Sequence, residues 1–324
     1  GVQTCALPIY EEWKYTSVKD AEQITYGSNS RPSSTALNDE LISKINIGNP
    51  DSYLLVFENG IFREDLSNYP AEGITIQNLA AVKHDSAVKH YLGHVATFQN
   101  ESYVALNTAF HTDGAFVHLS AKTNFEKPIH LLHINTESQP SMSRTLIVAE
   151  PESSVRLFES YQSLNESISC MTNHVTEIVV GKNADVSLIK AQLENNQTSH
   201  VSFTQVNQEQ DSRFSSTVFT TGGKVVRNNL HIRLNGTNCQ SFLYGLYLLN
   251  GDQLCDNHTL VDHAMPHCES NELYKGILDG RSTGVFNGKI FVRQDAQKTN
   301  AYQSNKNILL SDDAQMNKIG RAHV

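Results

Sequence analysis

The segment Asn235-Gly-Thr-Asn-Cys-Gln-Ser-Phe-Leu-Tyr-Gly-Leu-Tyr-Leu-Leu-Asn250-Gly251 sets a strand-like run of Ser, Phe, Leu and Tyr between two Asn-Gly breaks. The same punctuation repeats on both sides of it. Turn-type breaks fall near Gly181, Asn195-Asn196, Glu209 to Asp211, Gly222-Gly223, Gly236, Gly251, Pro266, Gly280 and Asp295, thirteen to fifteen residues apart. Each interval holds a strand of roughly five to eight residues plus a turn. Such even spacing fits a sandwich, a barrel or a β-solenoid. The dipeptides Asn235-Gly236, Asn250-Gly251, Asp279-Gly280 and Asn287-Gly288 keep the hairpin-built folds open. An all-β run of about 200 residues without a change of character favours the solenoid.

Upstream the character is mixed. Tyr53-Leu-Leu-Val-Phe57, Asn59-Gly60 and Ile61-Phe62 predict a hairpin, because Asn-Gly supplies the positive φ of a tight turn. Leu79, Val82, Val88, Leu92 and Val95 are spaced for an amphipathic helix over 78–98. Ser28 to Ser34 is a polar loop, and from Tyr103 onward no helical stripe of three turns is visible. These shifts divide the chain into an N-terminal mixed α/β region, 10–98, and a β core, 99–318. The two ends, 1–9 and 319–324, resemble translated sequencing adapters and are set aside from fold reasoning, which predicts a natural chain continuing past Lys318.

Composition narrows the function. With 25 Lys+Arg against 34 Asp+Glu, the net charge of −9 argues against a general nucleic-acid binder. No apolar run is long enough to span a membrane as a helix. Five Cys in 324 residues do not make a disulfide framework, which predicts a reducing, cytoplasmic setting. Gly222-Gly223-Lys224 is followed by Val225, and Gly288-Lys289 by Ile290, so neither completes a phosphate-binding P-loop.

The densest chemistry is Leu254-Cys-Asp-Asn-His-Thr-Leu-Val-Asp-His-Ala-Met-Pro-His-Cys268. Its ligand types suit Fe, Zn or Cu. On a strand His258 and Asp262 share one face and His263 takes the other. His263, His267 and Cys268 are the candidate metal ligands, and they can converge only across the turn at Pro266. The paired spacings of zinc modules are absent, and the competing expectation is a solenoid corner whose His and Asn satisfy turn backbone. His84, His90, His94, His111, His118, His130 and His133 are expected to be scattered surface imidazoles.

Residues Asp256 to Ser270, Tyr274-Lys-Gly-Ile277, Val285-Phe-Asn-Gly-Lys-Ile290, Ala296-Gln-Lys-Thr299, Gln303 and Asn305 to Ser311 appear in an order that resembles the SufD branch of the SufB/SufD family. The family comprises scaffold subunits of the SUF iron–sulfur assembly machinery. Glu11-Glu-Trp-Lys-Tyr-Thr16, Ala105 to Phe110, Asp113-Gly114 and Pro128-Ile129 extend the similarity upstream. The resemblance implies a mainly β protein, a right-handed parallel β-helix with an N-terminal mixed, partly helical region. It implies a scaffold and not an enzyme, pairing with a SufB-like subunit and docking a SufC-like ATPase through a C-terminal helical part. A homodimer is a further assembly it allows. No cofactor is expected on this chain alone; an iron–sulfur cluster would sit transiently at the SufB–SufD interface. The family's Cys-Ser-His-Gly motif follows the segment matching Ser311 to Asn317, so no cluster ligand is carried over, and the chain as given is expected not to dock the ATPase. The rivals are a secreted β-helix acting on polysaccharide, which would need an aligned row of carboxylates, and the paralogous SufB scaffold.

Overall fold

A computed structural model describes residues 13–17, 37–69 and 74–323. The expected loop at 28–34 and the segment 1–9 lie outside the described residues. From residue 113 onward the chain winds as a parallel β-solenoid. One sheet, here called A, stacks β1 (Tyr53–Glu58), β5 (Asn124–Asn135), β7 (Ser154–Ser163), β9 (Asp185–Leu193), β11 (Arg213–Thr220), β13 (Gln240–Leu249), β15 (Glu269–Leu278) and β17 (Asn300–Leu309). Sheet B stacks β4 (Asp113–Leu119), β6 (Ser141–Ala149), β8 (Met171–Val180), β10 (Ser199–Gln208), β12 (Val225–Leu234), β14 (Leu254–His263), β16 (Thr283–Val292) and β18 (Gln315–His323). Two antiparallel strands, β2 (Ile61–Asn68) on β1 and β3 (Thr75–Asn78) on β4, close the N-terminal end of the sheets. The periodicity left three architectures open; alternate strands stacking in parallel select the solenoid.

The evenly spaced breaks are the corners of the coil. Where sheet B passes to sheet A, each coil carries a left-handed residue: Lys122, Glu152, Asn183, Asp211, Asn238, His267 and Lys298, with φ between 55° and 65°. Their N–H groups reach the next coil, as in Asn183 N–H to Gln210 O at 3.0 Å and Asp211 N–H to Thr237 O at 3.0 Å. Asn and Asp tolerate this region better than most residues, which accounts for their frequency at the breaks.

Between corners, alternation divides each strand. Val155, Leu157, Val186, Leu188, Ile178, Val180, Val206 and Phe214 point inward and form the main core. The Asn59-Gly60 hairpin forms as expected, with φ of 51° and 83°. The helix expected over 78–98 is shorter. Residues 79–85 are turns, Asp85 restarts the chain by capping Ala87 and Val88, and α2 covers only Ser86–Tyr91 before Gly93 (φ 76°) ends it. Its predecessor α1 (Asp39–Ile45) packs Ile42 against Val56, Leu132 and Ile134. A third helix, α3 (Ser102–Phe110), occupies a stretch expected to have left helical character behind. Its Val104 packs with Ala96, Val175 and Phe203, so tertiary burial holds it where amphipathic patterning is weak.

Candidate functional site

The ligand-rich segment 254–268 is pulled apart by strand alternation. On β14, Cys255, Asn257, Thr259, Val261 and His263 face the interior, while Asp256, His258 and Asp262 face out. His263 is fully buried, with Nε2 3.0 Å from Ser270 Oγ. His267 is the left-handed corner residue of its coil and is exposed, so the conformation at the break accounts for a His there. Cys268 is buried one residue later. The structure thus brings His263 and Cys268 to the inside of one corner and leaves His267 outside. Among the described residues no group of three or more His, Cys, Asp or Glu is arranged to hold a metal ion.

The outward residues of the same segment belong to a different cluster. Arg227 Nη1 donates to Asp256 Oδ2 at 2.9 Å, and His258 Nε2 lies 2.8 Å from Asp256 Oδ1. Thr16 Oγ1 also donates to Asp256, and the Trp13 ring lies 3.8 Å from the Arg227 guanidinium carbon. Burial alone would raise Asp256, but His258 and Arg227 outweigh it and hold the carboxyl below its ordinary range.

A second outer cluster lies on β6 and β8. Glu177 accepts from the backbone N–H groups of Gly93, Val95 and Ala96 at 2.8–3.1 Å and from Arg144 Nε at 2.7 Å. Both charged residues are essentially inaccessible to solvent. The turn after α2 is thereby fastened to the sheet.

The largest concentration of ionisable groups was not visible as a motif. Inside the coils formed by β5 to β10 lie His133, Glu159, Tyr161, His174, Lys190, Glu194 and His200, all buried. Glu159 is 3.4 Å from Lys190 Nζ and 3.7 Å from His174 Nε2, and accepts from Thr176 Oγ1 at 3.2 Å. Burial works against its charge, yet Lys190 and His174 hold the carboxyl well below the carboxylate range. His200 Nδ1 sits 2.7 Å from Glu194 Oε2. His133 stacks between Phe57 and Tyr161, at 4.8 and 4.7 Å, and burial pushes its pKa far down, with His174 adding to the shift. A void of about 10 Å³ beside Lys190, lined also by Ser202, Thr204, Ser216 and Asn228, has room for no more than about one water.

Two of the imidazoles expected on the surface are therefore misplaced by that reading. His130 and His133 are buried, His111 and His118 are half-buried, and His84, His90 and His94 are exposed. The signal that finds the buried set is parity: Val155-x-Leu157-x-Glu159-x-Tyr161 and Val186-x-Leu188-x-Lys190 each carry a charge in phase with inward apolar residues.

Outside the solenoid, sheet A differs from sheet B. From β13 to β17 its outward positions include Tyr244, Leu246, Leu248, Ile277, Tyr302 and Ile308, all exposed. Leu248, Ile277 and Ile308 stand in register on neighbouring strands, with Leu246, Lys275 and Lys306 in the adjacent column.

Comparison with known proteins identifies the family. The family described as SUF system FeS cluster assembly, SufBD core domain, matches residues 132–320, and the SufBD protein N-terminal region matches residues 5–131. An iron–sulfur cluster assembly SufBD family protein of Synechocystis is 33% identical over 95% of this chain and 70% of its own length. The iron–sulfur cluster assembly protein SufD of Escherichia coli is 26% identical over the same shares, and the chloroplastic protein ABCI7 of Arabidopsis thaliana is 31% identical over 59% of this chain and 42% of its own length. With alternate strands stacking into a parallel solenoid and both family regions running through it in order, the chain belongs to the SufBD family of iron–sulfur cluster assembly proteins and is a homologue of SufD.

Proposed function

We propose that the protein is a non-catalytic scaffold of cytoplasmic iron–sulfur cluster assembly. It pairs with a SufB-like subunit, draws ATP-driven motion from a SufC-like ATPase, and shares a transient cluster at the interface between the two scaffold subunits. The observation that carries this reading is where the reactive groups are. Glu159, His174, Lys190, Glu194 and His200 are sealed inside the coil, and Arg144, Glu177, Arg227 and Asp256 are sealed under the N-terminal part. A catalyst needs such groups facing a cleft that admits substrate, whereas here they hold one another. What the solenoid leaves open is a registered apolar face, the kind of surface that protein partners cover. A polysaccharide-active solenoid would present a row of carboxylates, but the outward charges along the stacked strands of sheet A are mixed, among them Arg156, Asp185, Arg213, Glu269, Lys275 and Lys306.

The test is co-purification of the protein, at the length of its relatives, with a SufB-like subunit and a SufC-like ATPase. A stable three-component complex that accumulates iron and acid-labile sulfide is the expected result. A chain that ignores both partners would overturn the reading.

A further inference from the structure

Just ahead of each sheet A strand, on the inside of the corner, successive coils place Ser153, Ala184, Ser212, Cys239 and Cys268 one above the next. The backbone bonds that stack them run from Asp185 N–H to Ser153 O, Arg213 N–H to Ala184 O, Gln240 N–H to Ser212 O and Glu269 N–H to Cys239 O, all 2.9–3.0 Å. The tight corner requires a small side chain, and Ser or Ala meets that need. Two thiols on neighbouring rungs are peculiar to the fourth and fifth positions. Neighbouring strands lie about 4.8 Å apart, inside the Cα separation of roughly 4.4–6.8 Å that a disulfide bridges.

The sulfurs also converge on one point: Cys239 Sγ and Cys268 Sγ lie 3.2 and 3.3 Å from the same Gly236 carbonyl oxygen. The closeness of the two thiols lowers the pKa of Cys268 and raises that of Cys239, and the nearby His263 imidazole favours the Cys268 thiolate further. Cys170 and Cys255 differ, since burial pushes each up to about 12 and keeps it a thiol. The pair also lies immediately inside the exposed corner residues Met265 and His267, so local opening of one turn reaches it.

We propose that Cys239 and Cys268 form a peroxide-reactive dithiol that closes to a disulfide between adjacent coils. Cys268 Sγ, as thiolate, attacks one oxygen of hydrogen peroxide; the S–O bond forms, the O–O bond breaks, and the departing hydroxide takes up the thiol's proton as water. Cys239 Sγ then attacks the sulfenic sulfur, the S–S bond forms, and the S–O bond breaks to release a second water carrying the Cys239 proton. Two thiols lose two electrons in all, and one peroxide becomes two waters.

The experiment treats the reduced full chain with hydrogen peroxide, alkylates the remaining thiols and maps the digest without reduction. The expected result is a peptide link between positions 239 and 268, a mass lower by two hydrogen atoms, and reversal by dithiothreitol, with Cys170 and Cys255 still alkylated. In Cys239→Ser the expected product is a sulfenic acid on Cys268, trapped by dimedone. Because that variant can fail to fold, the wild-type map decides alone. Positions 239 and 268 both alkylated after peroxide, or oxidation reaching Cys170 or Cys255 first, overturns the proposal.

Discussion

On sheet B the outward residues beneath the N-terminal part, Arg144, Leu146, Met171, Val175, Glu177, Val201 and Arg227, are buried, while Arg233 and Phe291 farther along the same sheet are exposed. On sheet A from β13 onward, residues of the same outward parity, Tyr244, Leu246, Leu248, Ile277 and Ile308, are 36–58% exposed. The strands are alike; what differs is what lies on top. The N-terminal part lays Trp13, α2, the 93–96 turn and α3 across sheet B, and α1 covers only the first strands of sheet A. Apolar residues occur outward on both faces, but buried outward charges occur with partners only where the chain covers itself. Buried, paired outward charges, and not outward charges as such, are thus the marker of a covered face, because a buried ion pair holds only when both members are positioned and hydrogen-bonded.

The sharpest test of that contrast is Glu177→Ala. It strands Arg144 and three backbone N–H groups, and a loss of about 3–5 kcal/mol is expected in urea denaturation. A loss below about 1 kcal/mol would mean that the cover is not fastened there.

Glu272, inside the coil between the two faces, provides a pH-dependent control. Thr259 Oγ1 donates to it at 2.6 Å, and burial nevertheless pushes its pKa up from 4.5 to about 7. A carboxyl whose folded pKa is raised holds its proton more tightly when folded. Its contribution is therefore complete below about pH 4.5 and declines as pH rises through about 7, by up to about 3 kcal/mol. Glu272→Gln should raise the melting temperature at pH 8 and leave it nearly unchanged at pH 5. Equal shifts at both pH values would show that the burial cost is not electrostatic.

Trp13→Ala removes the ring over Arg227 and its stacking on Tyr103 at 5.0 Å, and should cost about 2 kcal/mol. Protease sensitivity should increase selectively near the N-terminus. At the small end, Ile308→Ser on the open face of sheet A should change stability by no more than about 0.5 kcal/mol. A larger loss by thermal melting would mean that this face is covered in solution.

How much of this was legible follows from the range of each cause. The corners at Asn183, Asp211 and Asn238 were visible because a left-handed residue is a local requirement with a local residue preference. The hairpin at Asn59-Gly60 was visible for the same reason. In the segment 254–268 the split between strand faces was legible, but the partners on each face were not: His263 meets Ser270, and Asp256 meets Arg227 and Thr16. Glu159 and Lys190 were readable only by carrying parity through each strand. The covered cluster was out of reach, since Thr16 and Asp256 are 240 positions apart and nothing in either neighbourhood names the other. Helix α3 escaped because its order comes from Val175 and Phe203 beneath it.

The column of left-handed corners gives the solenoid a mechanical character. Successive members such as Asn238 and His267 mark one coil each, and each hands its N–H to the coil that follows. A coil of about 29 residues, pulled taut from the end of β18, would pay out roughly 100 Å of chain. Force applied there should therefore unwind the outer coils in even steps. The even steps should stop where Glu159, Lys190, His174 and the pair Glu194–His200 tie several coils to one another. Those middle coils should yield together, as a single larger event.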